Sequence, residues 1–229
     1  MEYPIDENYP AVFRDAYGEE STVIHNDGKQ LRMIVRGVEF VGTMLDDFEA
    51  VEGTDPAALT QFSLDRGTNF VDLCGYVIEY EAPVALVMAT GETSGALLRV
   101  RLSLGMPRPA PRGGLDHEIL ALELEHGGHS YRSNGMSGGF FEDELLEIQA
   151  ALPHGVFLKM CINCAFSGYN GSHGLFGYMS CFRDNKAEYR KVVDQSGMFR
   201  IWNTMTEFVQ ETYLCPEFER RLPGAGYRG

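Results

Sequence analysis

The chain has 229 residues, 44% of them hydrophobic and 23% charged, with a formal net charge of −14. That is enough for one large domain or two small ones around a sizeable core, in the composition range of ordinary globular proteins. No apolar run approaches the ~18 residues of a membrane span, and MEYPIDENYP lacks the apolar stretch of a secretory signal, so a cytoplasmic location without membrane contact is expected. Up to Met160 there are 11 Lys and Arg against 26 Asp and Glu; beyond it the count is 8 against 7. An acidic field of this size opposes a phosphate backbone, so no nucleic acid is expected and a protein or a small molecule is the expected partner. The balanced C-terminal part can still touch an anion, and the plain reading is that the acidic surface serves solubility.

Residues 1–20 are polar and proline-containing and are expected to form a loosely packed arm. TVIHNDGKQLRMIVRGVEFVG, from Thr22, has a period near two and holds Asn26-Asp27-Gly28, so it predicts two strands of a hairpin. LDDFEAVEGTDPAALTQF is irregular, with Pro56 as a breaker. Residues 69–80, 83–88 and 96–104 predict strands, separated by Thr90-Gly91 and Ser94-Gly95. GMPRPAPRGG, residues 105–114, punctuates the chain but is too short for a domain linker. Residues 117–125 and 129–133 predict another hairpin around Gly127-Gly128.

The pattern then changes. FFEDELLEIQAALPHG has helical period, with Phe141, Leu145, Ile148 and Leu152 on one stripe. Glu142, Asp143 and Glu144 suit the positive end of the helix dipole, and Pro153 and Gly155 end it. Residues 156–160 predict a short strand. A Gly-, Ser- and aromatic-rich loop follows Cys164. Two helices are predicted beyond it: 185–193, capped by Asp184 or Asn185, and 198–213, with Ile201, Met205, Phe208, Val209 and Thr212 on one face. The expected fold class is therefore α+β: a mostly antiparallel β portion at 21–135, sandwich or barrel-like, followed by an α-rich, cysteine-bearing portion at 136–229, packed on it as a second unit or as part of one domain.

The chemistry concentrates in the second portion. Five cysteines in a cytoplasmic chain argue against a disulfide framework. Cys74 lies alone in an apolar run and reads as a buried, inert thiol. The other four have the spacing Cys161-x2-Cys164-x16-Cys181-x33-Cys215. A Cys-x-x-Cys turn can hold one ion from two sides, and two further cysteines complete a tetrahedron suited to zinc or, alternatively, an iron–sulfur cluster. A redox dithiol would place the first cysteine at a helix start, where the dipole lowers its pKa; here the pair runs into Ala165-Phe166-Ser167-Gly168 instead. Four buried thiols without a ligand remain the plain alternative. With four sulfur ligands the shell is closed and the metal staples rather than catalyses; an open site would need His173 in place of a cysteine.

Other candidates carry less. His126 and His129 flank a glycine turn and read as exposed turn residues. His117-Glu118 and His25 show no partner in the sequence. Glu142-Asp143-Glu144 reads as a helix start. Asn170-Gly171-Ser172 matches a glycosylation sequon that has no meaning without secretion. Gly224-x-Gly226-x-x-Gly229 spells a dinucleotide fingerprint with no preceding strand or following helix. Phe166, Tyr169, Phe176 and Tyr178 read as apolar cover for the cysteine unit, with a ligand-facing patch as the alternative.

CINCAFSGYNGSHGLFGYMSCFRDNKAEYRKV and VQETYLCPEFERRLPGAGYRG resemble a family of uncharacterised bacterial proteins. Its marks are Cys-x-x-Cys, a Gly/Tyr-rich loop, Cys-Phe-Arg, Cys-Pro-Glu-Phe-Glu and a Pro-Gly-x-Gly-Tyr-Arg-Gly ending. The resemblance is specific from Phe140 onward and looser over the β portion. It implies that Cys161, Cys164, Cys181 and Cys215 form one pattern, and it implies no reaction. The expectation is a binding or regulatory module with a structural four-cysteine zinc site. One alternative is a metalloenzyme with a pocket at the junction of the β portion and the cysteine unit, near Tyr169, His173, Arg183 and Arg228. Another is an immunity or partner-neutralising protein whose acidic face covers a basic target.

Overall fold

The structure is a computed structural model, which describes residues 6–109, 112–135, 140–169, 176–177 and 179–222. In chain order the elements are β1 (Glu7–Asp15), β2 (Gly18–Asn26), β3 (Leu31–Val35), β4 (Val38–Gly42), β5 (Glu49–Ala50), β6 (Ser63–Arg66), β7 (Val71–Cys74), β8 (Tyr76–Val87), β9 (Thr93–Leu104), β10 (Glu118–His126), β11 (His129–Arg132), α1 (Phe141–Ala151), β12 (Phe157–Leu158), β13 (Ser167–Gly168), β14 (Met179–Cys181), α2 (Lys186–Tyr189), α3 (Gln195–Ile201) and β15 (Glu207–Val209).

Twelve strands make one antiparallel sheet in the order β11-β10-β9-β8-β1-β2-β3-β4-β5-β7-β6, with β12 pairing the far end of β8. The alternation that predicted the strands sets their faces. On β8, Tyr76, Ile78, Tyr80, Ala82, Val84 and Leu86 point into the core while Glu79 and Glu81 point out. The Gly127-Gly128 hairpin forms with both glycines at positive φ, +57° and +78°, as a two-residue type I′ turn requires. Pro83 lies between the stretch of β8 paired with β1 and the stretch paired with β12, and Pro10 lies just before the β1–β8 pairing begins. Each therefore sits where one side of its strand has no partner, so the missing N–H need not break a ladder.

Helix α1 forms as its stripe requires. Phe141, Leu145 and Ile148 are fully buried, and the helix lies against β10 and β11. The main apolar core runs from β1 through β10 to α1 and on into the cysteine unit.

Three expectations are corrected. The fold is mostly antiparallel β throughout, not α+β, and the C-terminal portion is not α-rich. Among the described residues it holds a second, three-stranded sheet in the order β13-β14-β15. Its helices are short: α2 has four residues and α3 seven. The helix expected over 198–213 stops at Ile201, followed by a 3-10 turn, and Glu207–Val209 becomes β15. Thr204, Thr206 and Val209 are β-branched, and Phe208 is aromatic, which favours a pleated strand. The backbone of Thr206 also donates to the Cys181 carbonyl at 2.8 Å, so pairing with β14 supplies hydrogen bonds that an isolated helix would lack. The polar stretch expected as an arm contributes β1, an interior strand paired with both β2 and β8.

Candidate metal centre

The chain turns sharply after β12. Cys161–Asn163 forms one 3-10 turn, closed by the Cys164 N–H donating to the Cys161 carbonyl at 3.0 Å. Cys181 ends β14 and sits opposite Ser167 of β13. Cys215 follows β15, in a turn closed by the Phe218 N–H on the Cys215 carbonyl at 3.1 Å. Backbone bonds tie these turns together: Cys161 N–H to Tyr213, Ala165 N–H to Glu219 and Arg221 N–H to Asn163, at 3.1, 2.7 and 2.8 Å. The small sheet and the two turns thus bring four cysteines from three segments into one place. That place is a seam: Cys161, Cys181 and Cys215 belong to the main core, while Cys164 belongs to a second apolar cluster with Phe166, Phe182, Tyr189, Val192 and Met198.

All four thiols are buried and free of disulfides; Cys161 stands in the electrostatic field of the other three, Cys181 in that of Cys164 and Cys215, and Cys215 in that of Cys164. Burial, with the neighbouring thiols adding to it, pushes Cys161 well above the ordinary thiol value. Burial pushes Cys181 up to about 11, against the opposing pull of the Arg183 backbone N–H and guanidinium. Cys215 is also raised by burial, opposed by the Glu217 N–H, 3.3 Å from its sulfur. Donors thus already point at two of the sulfurs in the sense that favours thiolate.

Two arginines complete the surroundings. Arg183 is nearly buried, pairs with Glu207 and places Nη1 3.9 Å from the Cys181 sulfur. Burial opposes its charge, but the Glu207 bond and the thiols outweigh it, so its pKa is raised. Arg221 donates from Nη2 to the carbonyls of Cys164 and Ser167, both at 2.6 Å, and has no carboxylate partner among the described residues. Burial lowers its pKa, and the groups opposing that fall are Tyr189, Tyr169 and the thiols of Cys164 and Cys161.

The donor set suits a soft cation, since four sulfurs are the ligands zinc and iron–sulfur centres take. Among the described residues, however, no group of three or more His, Cys, Asp or Glu is arranged to hold a metal ion. The sulfurs are neighbours, not a finished coordination shell.

The other expected site residues divide. Tyr169 is buried, with its hydroxyl 2.5 Å from Glu211, which also accepts the Gly177 N–H at 2.7 Å. Phe166 and Phe176 are buried as apolar cover. His173, Tyr178 and Arg228 lie outside the described residues. A cavity of about 800 Å3 does lie at the junction, lined by Tyr9, Val84, Lys159, Gln210, Tyr213 and Cys215 among others, but neither Tyr169 nor Arg183 lines it. Beside it Asn26 and Gln210 exchange two amide hydrogen bonds of 2.8 Å, and Asn26 also donates to the Tyr9 hydroxyl. Sequence reasoning missed Glu207, Glu211 and Arg221, which in a polar tail look like ordinary solvated charges.

A family model for a family of unknown function (DUF6304) matches residues 7–167. The chain belongs to that family. The match takes in β1 to β12, Cys161 and Cys164, and it stops before Cys181 and Cys215. It therefore spans the β portion, where sequence resemblance was expected to be looser. No curated protein matches the chain, and no solved structure does.

Proposed function

We propose that this member of the family is a binding or regulatory module whose C-terminal unit is closed by one structural zinc ion on Cys161, Cys164, Cys181 and Cys215. The observation that carries the reading is the convergence of four buried thiols from three separate segments, with Cys161 in the field of the other three. Four thiolates and one Zn²⁺ carry a net charge of −2, and the unit supplies two arginines against it, Arg183 and Arg221. A closed sulfur shell leaves no position for water, so the ion would tie the small sheet to the large one rather than react. Binding would draw the sulfurs to about 2.3 Å from the metal and release the thiol protons. Five free thiols suit a reducing compartment, which supports a cytoplasmic site of action.

Elemental analysis of protein purified without added metal tests the proposal. About one zinc per chain, lost when Cys161 and Cys164 are both changed to serine, is expected. Protein that holds no metal and takes up none from a zinc titration overturns it. A brown protein carrying iron and sulfide would replace zinc by the iron–sulfur alternative.

A further inference from the structure

On the outward face of the large sheet, strand register places Arg14 of β1, Val77 of β8, Ser103 of β9 and Ile119 of β10 in one row. His117, just before β10, lies beside this row. Its Nε2 is 3.1 Å from the Ser103 hydroxyl, and its Nδ1 is 2.8 Å from Asp116 Oδ1. The same Asp116 oxygen accepts the Met106 N–H at 3.1 Å, which fixes the carboxylate. The contact is one of charge and not an aligned hydrogen bond, but a carboxylate beside Nδ1 favours the neutral tautomer that carries its proton there and leaves the Nε2 lone pair to serine.

Gly105 stands opposite His117, and its N–H donates to the His117 carbonyl at 2.9 Å. A Cβ there would fall 1.6 Å from Asp116 Oδ1 and 2.6 Å from His117 Nδ1. The histidine–carboxylate pair therefore occupies space that only glycine leaves open. An exposed hydrogen bond and an exposed ion pair add little stability, so stability alone does not explain three polar side chains gathered over a glycine. The trio opens on a cavity of about 420 Å3 lined also by Arg14, Tyr76, Val77, Leu104 and Met106. Arg14 binds Glu19 through Nε and Glu79 through Nη1, while its Nη2 makes no hydrogen bond among the described residues.

We propose that Ser103, His117 and Asp116 form a nucleophilic relay that takes a short acyl group from an ester and passes it to water. A nucleophile bonded to a base, itself oriented by a third group, is the arrangement such chemistry needs, whatever the order in the chain. The Ser103 oxygen forms a bond to the ester carbonyl carbon as its proton moves to His117 Nε2. The carbon–alkoxide bond then breaks, and the alcohol departs with that proton. Water adds to the acyl-serine and gives a proton to Nε2; the serine oxygen leaves with that proton, and the carboxylic acid is released. Arg14, which lines the same cavity, would be the donor available to the charge that develops on the carbonyl oxygen. Asp116 is a positioning residue, because it acts through His117.

The test uses the full chain, a fluorophosphonate probe and peptide mass mapping. One adduct on Ser103 is expected, absent in S103A. H117Q keeps a hydrogen-bonding side chain but no base, and it should slow labelling by about 100-fold or more. D116N should lower the limiting labelling rate and leave the probe concentration for half-maximal rate unchanged. These side chains are partly exposed, so the variants should melt within a few degrees of the parent. No adduct on Ser103, or H117Q labelled as fast as the parent, overturns the proposal.

Discussion

Replacing Arg221 by methionine separates the charge argument from packing. Met keeps most of the apolar stem and removes the guanidinium. In the thiol form the loss is two charge-assisted bonds to the carbonyls of Cys164 and Ser167, about 1.5–3 kcal/mol each. Against that stands the relief of a buried charge with no carboxylate beside it, several kcal/mol in the other direction. The two nearly cancel, so chelator-treated R221M should differ from the parent by less than about 1 kcal/mol. With zinc bound, the same guanidinium faces a dianionic cluster, and its attraction adds about 2–4 kcal/mol at an effective dielectric of about 20. Urea unfolding with excess zinc and with chelator, on both proteins, measures the difference. R221M should lose about 2–4 kcal/mol of the stabilisation that zinc gives the parent. An equal change in both conditions refutes the idea that Arg221 is a counter-charge for the thiolates.

Asp46 has a buried carboxylate oxygen without a hydrogen-bond partner, and burial, then Glu118 and Asp47, push its pKa up to about 7. The unfolded value is near 3.9, so the folded state binds the proton more tightly and stability falls as pH rises from about 4 to about 7. D46N should match the parent near pH 4.5 and exceed it by about 2 kcal/mol at pH 8, after discounting for incomplete burial; equal pH profiles in thermal melts would contradict this. Ile148→Ala removes a fully buried side chain of α1 and should cost about 2–4 kcal/mol in urea unfolding; a loss below about 1 kcal/mol would mean that the helix does not anchor on β10. Asn26→Ala and Gln210→Ala should couple by about 1 kcal/mol or more in a double-mutant cycle, because each leaves the other's buried amide unmet; strict additivity would argue against the pair.

The β part was legible where side chains alternate. Ile24, Met33, Ile78, Tyr80, Val100 and Leu102 mark inward positions that any two-residue period exposes, and the Phe141–Leu152 stripe marks α1. Glu7–Asp15 was hidden because Pro10 and two acidic residues look like a loop, whereas Pro10 sits where its strand has only one partner. The C-terminal helices were misread because Ile201, Met205, Phe208 and Val209 fit a helical stripe and a pleat equally well. Tertiary pairing with Cys181 decided between them, and no local window contains it. The cysteines stood out by the Cys161-x2-Cys164 spacing, and the family resemblance implied that Cys181 and Cys215 belong with them. Arg183 was named among the candidates, but Arg221 was not, since it becomes half-buried only through contacts made 57 residues away. The Ser103–His117–Asp116 alignment was invisible for the same reason: it depends on the register of β9 against β10.

The closure of Asn26 by Gln210, 184 residues later, and of Cys164 by Arg221 also fixes an order of assembly. The runs β1 to β4 and β8 to β11 can pair as they emerge during synthesis, because each hairpin is local, and the β1–β8 ladder joins them once β8 is made. The cysteine unit cannot follow that schedule. Until residues 207–221 are made, Cys161 and Cys164 face no partner turn, and the floor of the junction cavity is missing. Non-local closure of this kind is slow, so the nascent chain would pass through a stage with its sheet formed and its thiols uncovered. A cell making this protein would then meet the thiols in a reactive state before it meets them in a buried one.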